Sequence, residues 1–159
     1  MAPPSERFSP YKLMLERART PEFRHLAEQL FATSEEFRKL ERELPGQIVE
    51  NRARREGKPV KLSAGQKRFI SEAERDAVKA NAEVGAHYHS LTDESQLVQS
   101  ALQTECFDRK TWAWLYDSLH ADDQPMATRI RSLQDSLISE MEAFLQSHRS
   151  SKSVSAIEH

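Results

Sequence analysis

Glycine and proline divide this chain into segments with the periodicity of amphipathic helices. Its 4 glycines and 7 prolines fall between these segments or at their starts, apart from Gly85 inside the longest one. Ser9-Pro10 and Thr20-Pro21 have the order of a helix N-cap followed by proline at the first helical position. Pro45-Gly46 and Gly57–Pro59 lie where the apolar periodicity stops. This punctuation predicts an all-helical protein.

Three long periodic runs define the expected architecture. The first covers 21–44 and ends at Pro45-Gly46, with a capping box at Thr33–Glu36 that would break or restart the helix. The longest covers 63–91 at heptad-like spacing, and the last covers 125–147. We therefore predict an all-α fold, an elongated antiparallel bundle of about five to six helices with coiled-coil-like packing. The long central run would form the spine along which the other two pack.

Two shorter segments connect these runs. A basic, weakly amphipathic helix is predicted over 47–56, and a loop follows it over 57–62. Asp93 is expected to cap a helix over 95–104, and Asp108 is expected to cap a compact helix after that. We expect the long helices to hold the two connectors, 47–62 and 108–121, apart.

Size and composition indicate one domain with broad solvated faces. A chain of 159 residues is long enough to bury a core of its own. Charged residues make up 30% and aromatic residues only 8%, which favours an elongated bundle over a thick multilayer core. We expect a disordered lead over 1–8, a single helical domain over 9–147 and a disordered tail over 148–159.

Net charge and cysteine content limit the classes of partner and the cellular compartment that we expect for this protein. The formal net charge of -2 gives the whole protein no electrostatic signature for nucleic acid or an anionic membrane. Cys106 is the single cysteine, so no intramolecular disulfide can form and a reducing compartment fits. No stretch approaches the ~20 apolar residues that a membrane span needs. We expect a protein of the cytoplasm or nucleus, and a leaderless bacterial effector or the chaperone of one fits the same features.

A basic segment near the middle of the chain is the candidate site for an anionic partner. It holds seven cations against Glu56 alone: Arg52, Arg54, Arg55, Lys58, Lys61, Lys67 and Arg68. Nucleic acid, an anionic lipid head group or an acidic protein surface would suit this excess charge. Because the segment lacks the interleaved aromatic residues of single-strand binders, we favour a solvated basic loop over such a site.

Three aromatic residues cluster within five positions and form the candidate partner-binding site. Trp112 and Tyr116 share one helical stripe with Leu115 and Leu119, whereas Trp114 points to the other side. An outward tryptophan is a common anchor at protein interfaces. The alternative is that another part of the chain covers Trp114.

The sequence gives little support for a metal site or for a catalytic site. Glu22 and His25 have the Glu-x-x-His spacing of bundle di-iron sites, and Asp117 with His120 is the nearest second copy. We favour surface polar residues over a metal site and expect no cofactor. The chain shows no Gly-rich phosphate loop, nucleophile elbow or Cys-x-x-Cys pair, so no catalytic residue is assigned.

One stretch of the longest run resembles the helical V-shaped domain of Alix-type adaptor proteins. The residues that carry the resemblance are Gly65, Lys67, Phe69, Ala77, Val78, Ala80, Val84, Tyr88, Ser90 and Asp93. In that family a similar run lies in one long helix, and no ligand-binding residue of the family carries over. The resemblance implies a helical adaptor.

Together these patterns predict a protein that binds rather than catalyses. We expect a non-catalytic protein–protein interaction module: an adaptor, an assembly factor or a regulatory subunit. The heptad-like run also favours self-association as a homodimer. The alternative function is a regulator that binds nucleic acid or an anionic membrane through residues 52–68.

Overall fold

The computed structural model describes residues 8–58 and 64–158, and their side chains apart from 66–67, 69–79 and 149–158. Every regular element in these residues is a helix, which confirms the all-α class. The helices are α1 (Pro10–Arg17), α2 (Pro21–Glu56), α3 (Ala64–Ser90), α4 (Glu94–Thr111), α5 (Ala113–Ser118) and α6 (Gln124–Glu158).

Local capping chemistry starts three of these helices where the sequence predicts. The Ser9 hydroxyl accepts a hydrogen bond from the Lys12 N–H at 3.3 Å, and the Thr20 hydroxyl accepts one from the Phe23 N–H at 3.3 Å. The Asp93 carboxylate accepts from the Ser95 N–H at 2.9 Å. Each cap pairs one of the N–H groups that a helix start leaves without an intrahelical acceptor.

The predicted end of α2 at Pro45-Gly46 is wrong, because the helix runs through both residues to Glu56. Leu44 and Ile48 on either side of the proline belong to one apolar cluster, so their burial favours continuing the helix. Pro45 and Gly46 themselves are exposed. The helix ends instead at Gly57, whose φ of 71° suits glycine and whose N–H donates to Ala53 at 2.8 Å.

The capping box at Thr33–Glu36, where the sequence leaves open whether the helix breaks, does not interrupt α2. α2 is continuous there, and Ser34 is buried with its hydroxyl donating to the Phe31 carbonyl at 2.8 Å. A serine inside a helix bonds the preceding turn in this way and no longer acts as a cap. The segment 47–56, predicted as a separate helix, is the last part of α2.

α2 and α6 form an antiparallel pair in the centre of the described bundle. The rings of Phe23, at the start of α2, and Phe144, late in α6, lie 5.9 Å apart between centroids. At the other end, the Asn51 amide donates to the Asp123 carboxylate at 2.6 Å. α4 packs against α6, and α1 packs against both α2 and α4. The predicted antiparallel bundle is confirmed. Among the described residues its central pair is α2 with α6, and not the long helix α3 that was expected to form the spine.

Among the described side chains, those at the C-terminal end of α3 contact the rest of the bundle. Phe8 joins it to α2: its N–H donates to Asn81 at 2.6 Å, and its carbonyl accepts from Arg38 at 2.8 Å. A Cβ on Gly85 would lie 3.4 Å from the Phe8 ring, which is ordinary van der Waals contact, so Phe8 packs directly against α3 here. Tyr88 is buried beside them.

The heptad-like seam of α3 falls largely on side chains outside the described residues. Of its described positions, Tyr88 lies in the core, whereas Ala80 and Val84 are exposed. Self-association through this seam therefore stays a prediction.

The core consists of two apolar clusters with polar residues where they meet. The first lies between α1, the start of α2, the end of α3, α4 and the end of α6. The second lies between the middle of α2, α5 and the start of α6. Between them, the Gln134 amide donates to the Glu105 carboxylate at 3.0 Å. Tyr11 of the first cluster is buried, and its hydroxyl lies next to the Glu105 carboxyl.

Burial raises the pKa of Glu105 and outweighs the hydrogen bond from Gln134, which lowers it. The negative charges of Asp108 and Glu41 also raise this pKa. The folded protein therefore binds a proton at this carboxyl more readily than the unfolded chain does. Protonated Glu105 contributes stability in full below the unfolded pKa of about 4.5, and this contribution is lost as the pH rises through the folded pKa.

We predict that Glu105→Gln unfolds at a higher temperature than the wild type at neutral pH. The glutamine keeps an acceptor for Gln134 and cannot ionise. The difference in unfolding temperature between variant and wild type should therefore disappear as the pH falls below about 4.5. Thermal unfolding followed by circular dichroism across this pH range tests the prediction, with the exposed Glu142→Gln as the matched control. An equal difference between variant and wild type at every pH would contradict it.

Candidate protein-binding surface

α4 and α5 meet at Trp112, not at Asp108. α4 continues to Thr111 because no glycine or proline interrupts it, so the prediction that Asp108 caps the next helix is wrong. The Trp112 N–H donates to the Asp108 carbonyl at 3.0 Å, and the Trp112 carbonyl accepts from the Tyr116 N–H at 3.2 Å. Trp112 thus lies between the two helices and shares one helical hydrogen bond with each of them.

Three large aromatic side chains at this junction are exposed to solvent. The exposed fraction is 69% for Phe107, 48% for Trp112 and 66% for Trp114. We call these three residues the aromatic corner. The outward orientation of Trp114 agrees with the sequence prediction, but Trp112 was predicted on the inward stripe and is half exposed. Phe107 lies beyond the predicted helix 95–104 and is not among the predicted site residues, whereas the continuous α4 places it on a helix surface.

Tyr116, the third residue of the predicted site, faces the bundle instead. It packs on the second apolar cluster, and the Arg131 guanidinium lies 5.8 Å from its ring centroid. Arg131 also pairs with Asp117 at 2.7 Å. Partial burial raises the pKa of the Tyr116 hydroxyl. Tyr116 therefore holds α5 in place and leaves the aromatic corner facing outward.

Two ion pairs lie close in the chain to the aromatic corner. Arg109 forms an ion pair with Asp135 of α6 at 2.8 Å, and Asp117 forms an ion pair with Arg131. Lys110, between Phe107 and Trp112 in the chain, is exposed and makes no ion pair among the described residues.

Part of the predicted basic site is neutralised within the fold. Arg52 pairs with Glu56 at 3.0 Å, and Arg55 pairs with Asp122 at 2.8 Å. The hydrogen bond from Arg55 lowers the pKa of Asp122. Of the other predicted cations, Arg54, Lys58 and Arg68 are exposed, and the side chains of Lys61 and Lys67 lie outside the described residues.

The expectation that the long helices hold the two connectors apart is wrong. Ile48 of α2 packs in the same cluster as Tyr116 and Leu119. The loop that follows α5 then contacts the end of α2 through the Asn51–Asp123 hydrogen bond at 2.6 Å. Helix packing therefore joins the basic segment to the tryptophan segment.

The histidines considered for a metal site are not brought together. His25 lies near the start of α2, where its ring contacts Gln29 at 3.1 Å, whereas His120 follows α5 beside the far end of α2. In the described part of the chain, no group of three or more His, Cys, Asp or Glu residues could hold a metal ion.

Comparison with known proteins yields no match: no family model, curated protein or solved structure matches this chain. The resemblance to Alix-type adaptors therefore stays a prediction. Within 8–58 and 64–158, none of the helices combines the length and apolar character that crossing a membrane requires.

Proposed function

We propose that this protein is a non-catalytic helical interaction module that binds a protein partner through the aromatic corner. The observation that carries the proposal is the exposure of Phe107, Trp112 and Trp114 at one helix junction. Burying a side chain of this size stabilises a complex by roughly 1.5–3 kcal/mol relative to leaving it in water. Tryptophan is also enriched among the residues that dominate binding energy at protein interfaces.

The way the corner is built supports a role in binding rather than in folding. Tyr116 and the Arg131–Asp117 pair hold α5 to the bundle without help from the two tryptophans. A rigid support lets an aromatic anchor bind with little loss of conformational entropy. An adaptor, an assembly factor or a regulatory subunit would use such a surface. The exposed Cys106 thiol supports a reducing compartment, cytoplasm or nucleus, as the place of action.

The alternative of a nucleic-acid or membrane binder is less well supported. Two of the seven predicted cations, Arg52 and Arg55, already pair with carboxylates of the chain. Each such pair removes a cation that would otherwise release counterions on binding a phosphate backbone. We therefore place the partner site on the aromatic corner.

The triple variant Phe107→Ser, Trp112→Ser, Trp114→Ser tests this proposal by affinity capture from the cells of the native host. We expect the wild type to retain at least one protein that the triple variant loses, because the variant lacks all three anchors. The double variant Val49→Ser, Val84→Ser is the matched control, since both valines are exposed apolar residues on other helices.

The control should capture the same protein as the wild type, and circular dichroism should give the same helix content for all three chains. If the triple variant captures every protein as well as the wild type does, the proposal is wrong.

A further inference from the structure

One residue before the first helix, Phe8, lies against the inward face of α3. Of the residues of α3 whose side chains are described, Asn81, Gly85 and Tyr88 turn inward, and the others are exposed. Spacings of four and three residues place these three positions on one face of the helix. We propose that Phe8 is a latch that fastens this face of α3 to the bundle. When Phe8 is withdrawn, α3 moves away while the other helices stay packed.

All three inward positions of α3 contact Phe8. The Asn81 side-chain oxygen accepts a hydrogen bond from the Phe8 N–H at 2.6 Å. A Cβ on Gly85 would lie 3.4 Å from the Phe8 ring. The ring centroids of Phe8 and Tyr88 are 5.5 Å apart, a separation that favourable aromatic pairs adopt. The described inward face of α3 is therefore built on one residue from another part of the chain.

Phe8 is in turn fastened to α2. Its carbonyl accepts a hydrogen bond from the Arg38 guanidinium at 2.8 Å. Phe8 precedes Ser9, the N-cap of α1, so it lies outside the helices and no helical ladder of backbone hydrogen bonds holds it. Its displacement breaks the contacts with α2 and α3 but leaves every helix intact. Local opening of this kind costs less free energy than unfolding of the bundle.

The last turn of α3 is fastened separately and provides the pivot. The Arg17 guanidinium donates to the carbonyls of His89, at 3.1 Å, and of Leu91. The Tyr88 hydroxyl lies 3.4 Å from the Thr104 hydroxyl of α4. These contacts involve residues 88–91 of the chain and remain when Phe8 leaves. The position of α3 therefore depends on the start of the chain, whether or not the aromatic corner binds a partner.

Pulsed electron paramagnetic resonance on the full-length chain tests the latch through the distance between two nitroxide labels. One label is attached to Cys106, the single and exposed cysteine, and the other to Val84→Cys at an exposed position of α3. We expect a narrow distance distribution when Phe8 is present. In Phe8→Ser it should become broader and longer by at least one helical turn, about 5 Å. The control Val49→Ser, at an exposed apolar position of α2, should leave the distribution unchanged.

A second variant, Gly85→Leu, disturbs the latch from the side of α3. The carbons of leucine beyond Cβ would overlap the Phe8 ring and displace it. We expect the same broad and long distribution as in Phe8→Ser, although leucine is a better helix former than glycine. A distribution as narrow as that of the wild type would overturn the latch.

A second pair of labels separates opening of α3 from unfolding of the bundle. It joins Cys106 to Gln29→Cys, an exposed position of α2. Its distance distribution should be the same with Phe8 and in Phe8→Ser, because release of the latch leaves α2 and α4 in place. The proposal is wrong if the α3 distance does not change in Phe8→Ser. It is also wrong if both distances broaden together, because Phe8 would then stabilise the whole bundle.

Discussion

Replacing Leu137 by alanine should lower the free energy of unfolding by about 2–5 kcal/mol. Leu137 lies on α6 and is fully buried in the first apolar cluster, between the start of α2 and α4. Its truncation removes apolar area from the core and leaves a cavity that tightly packed helices fill only in part. Because a domain of this size is stable by about 5–15 kcal/mol, the loss is a large share of the total.

Urea unfolding followed by far-ultraviolet circular dichroism measures this loss. Val84→Ala is the matched control, since Val84 is an exposed apolar residue of α3 and its truncation should change stability by no more than about 0.5 kcal/mol. A loss below about 1 kcal/mol for Leu137→Ala would mean that α6 does not pack as described.

Replacing Asn51 by alanine should cost about 2–3 kcal/mol, because it removes a donor from a buried carboxylate. Asn51 and Asp123 are each 2% exposed, and the Asn51 amide donates to the Asp123 carboxylate at 2.6 Å. The amide oxygen of Asn51 in turn accepts from Gln47 at 3.1 Å. Alanine would leave the Asp123 oxygen without this bond in a place that water does not reach.

A double-mutant cycle with Asp123→Ala isolates this interaction. The double variant should lose less stability than the sum of the two single variants, because either single change already breaks the bond. Arg52→Ala is the control on the same helix. Its pair with Glu56 is exposed, so its loss should cost under about 1 kcal/mol. Additive losses for Asn51 and Asp123 would contradict the hydrogen bond.

The features of this fold that depend on neighbouring residues could be predicted from the sequence. The caps at Ser9, Thr20 and Asp93 need only a side chain and an N–H two or three residues further on. The helical periodicity of α2 and α6 likewise appears within short windows. The all-helical class follows from these local signals.

The errors arose where distant contacts decided the outcome. Pro45 is a local signal to stop, but Leu44 and Ile48 pack against residues of α5 and α6, and this burial favours the continuous helix. Asp108 is a good cap in isolation, yet α4 continues past it to Thr111. Local signals predict that a helix can end at a residue, and the packing of the whole chain decides whether it does.

The candidate site shows the same division. The outward side chain of Trp114 could be predicted from helical spacing, whereas the exposure of Trp112 depends on the break at that residue. The contact of Asn51 with Asp123 joins residues that are 72 positions apart in the chain, and no local sequence pattern predicts it. The ion pairs of Arg109 with Asp135 and of Arg131 with Asp117 join α4, α5 and α6, and the sequence does not specify them.

Intrinsic tryptophan fluorescence tests the central claim most directly, because both tryptophans of the chain, Trp112 and Trp114, lie in the aromatic corner. The free native protein should emit at a wavelength close to that of the unfolded chain, since both indole rings are in contact with water. Adding the purified partner from the capture experiment should shift the emission to shorter wavelengths as the rings become buried. An emission that is already at short wavelength in the free protein, or that does not move when the partner binds, would contradict the account.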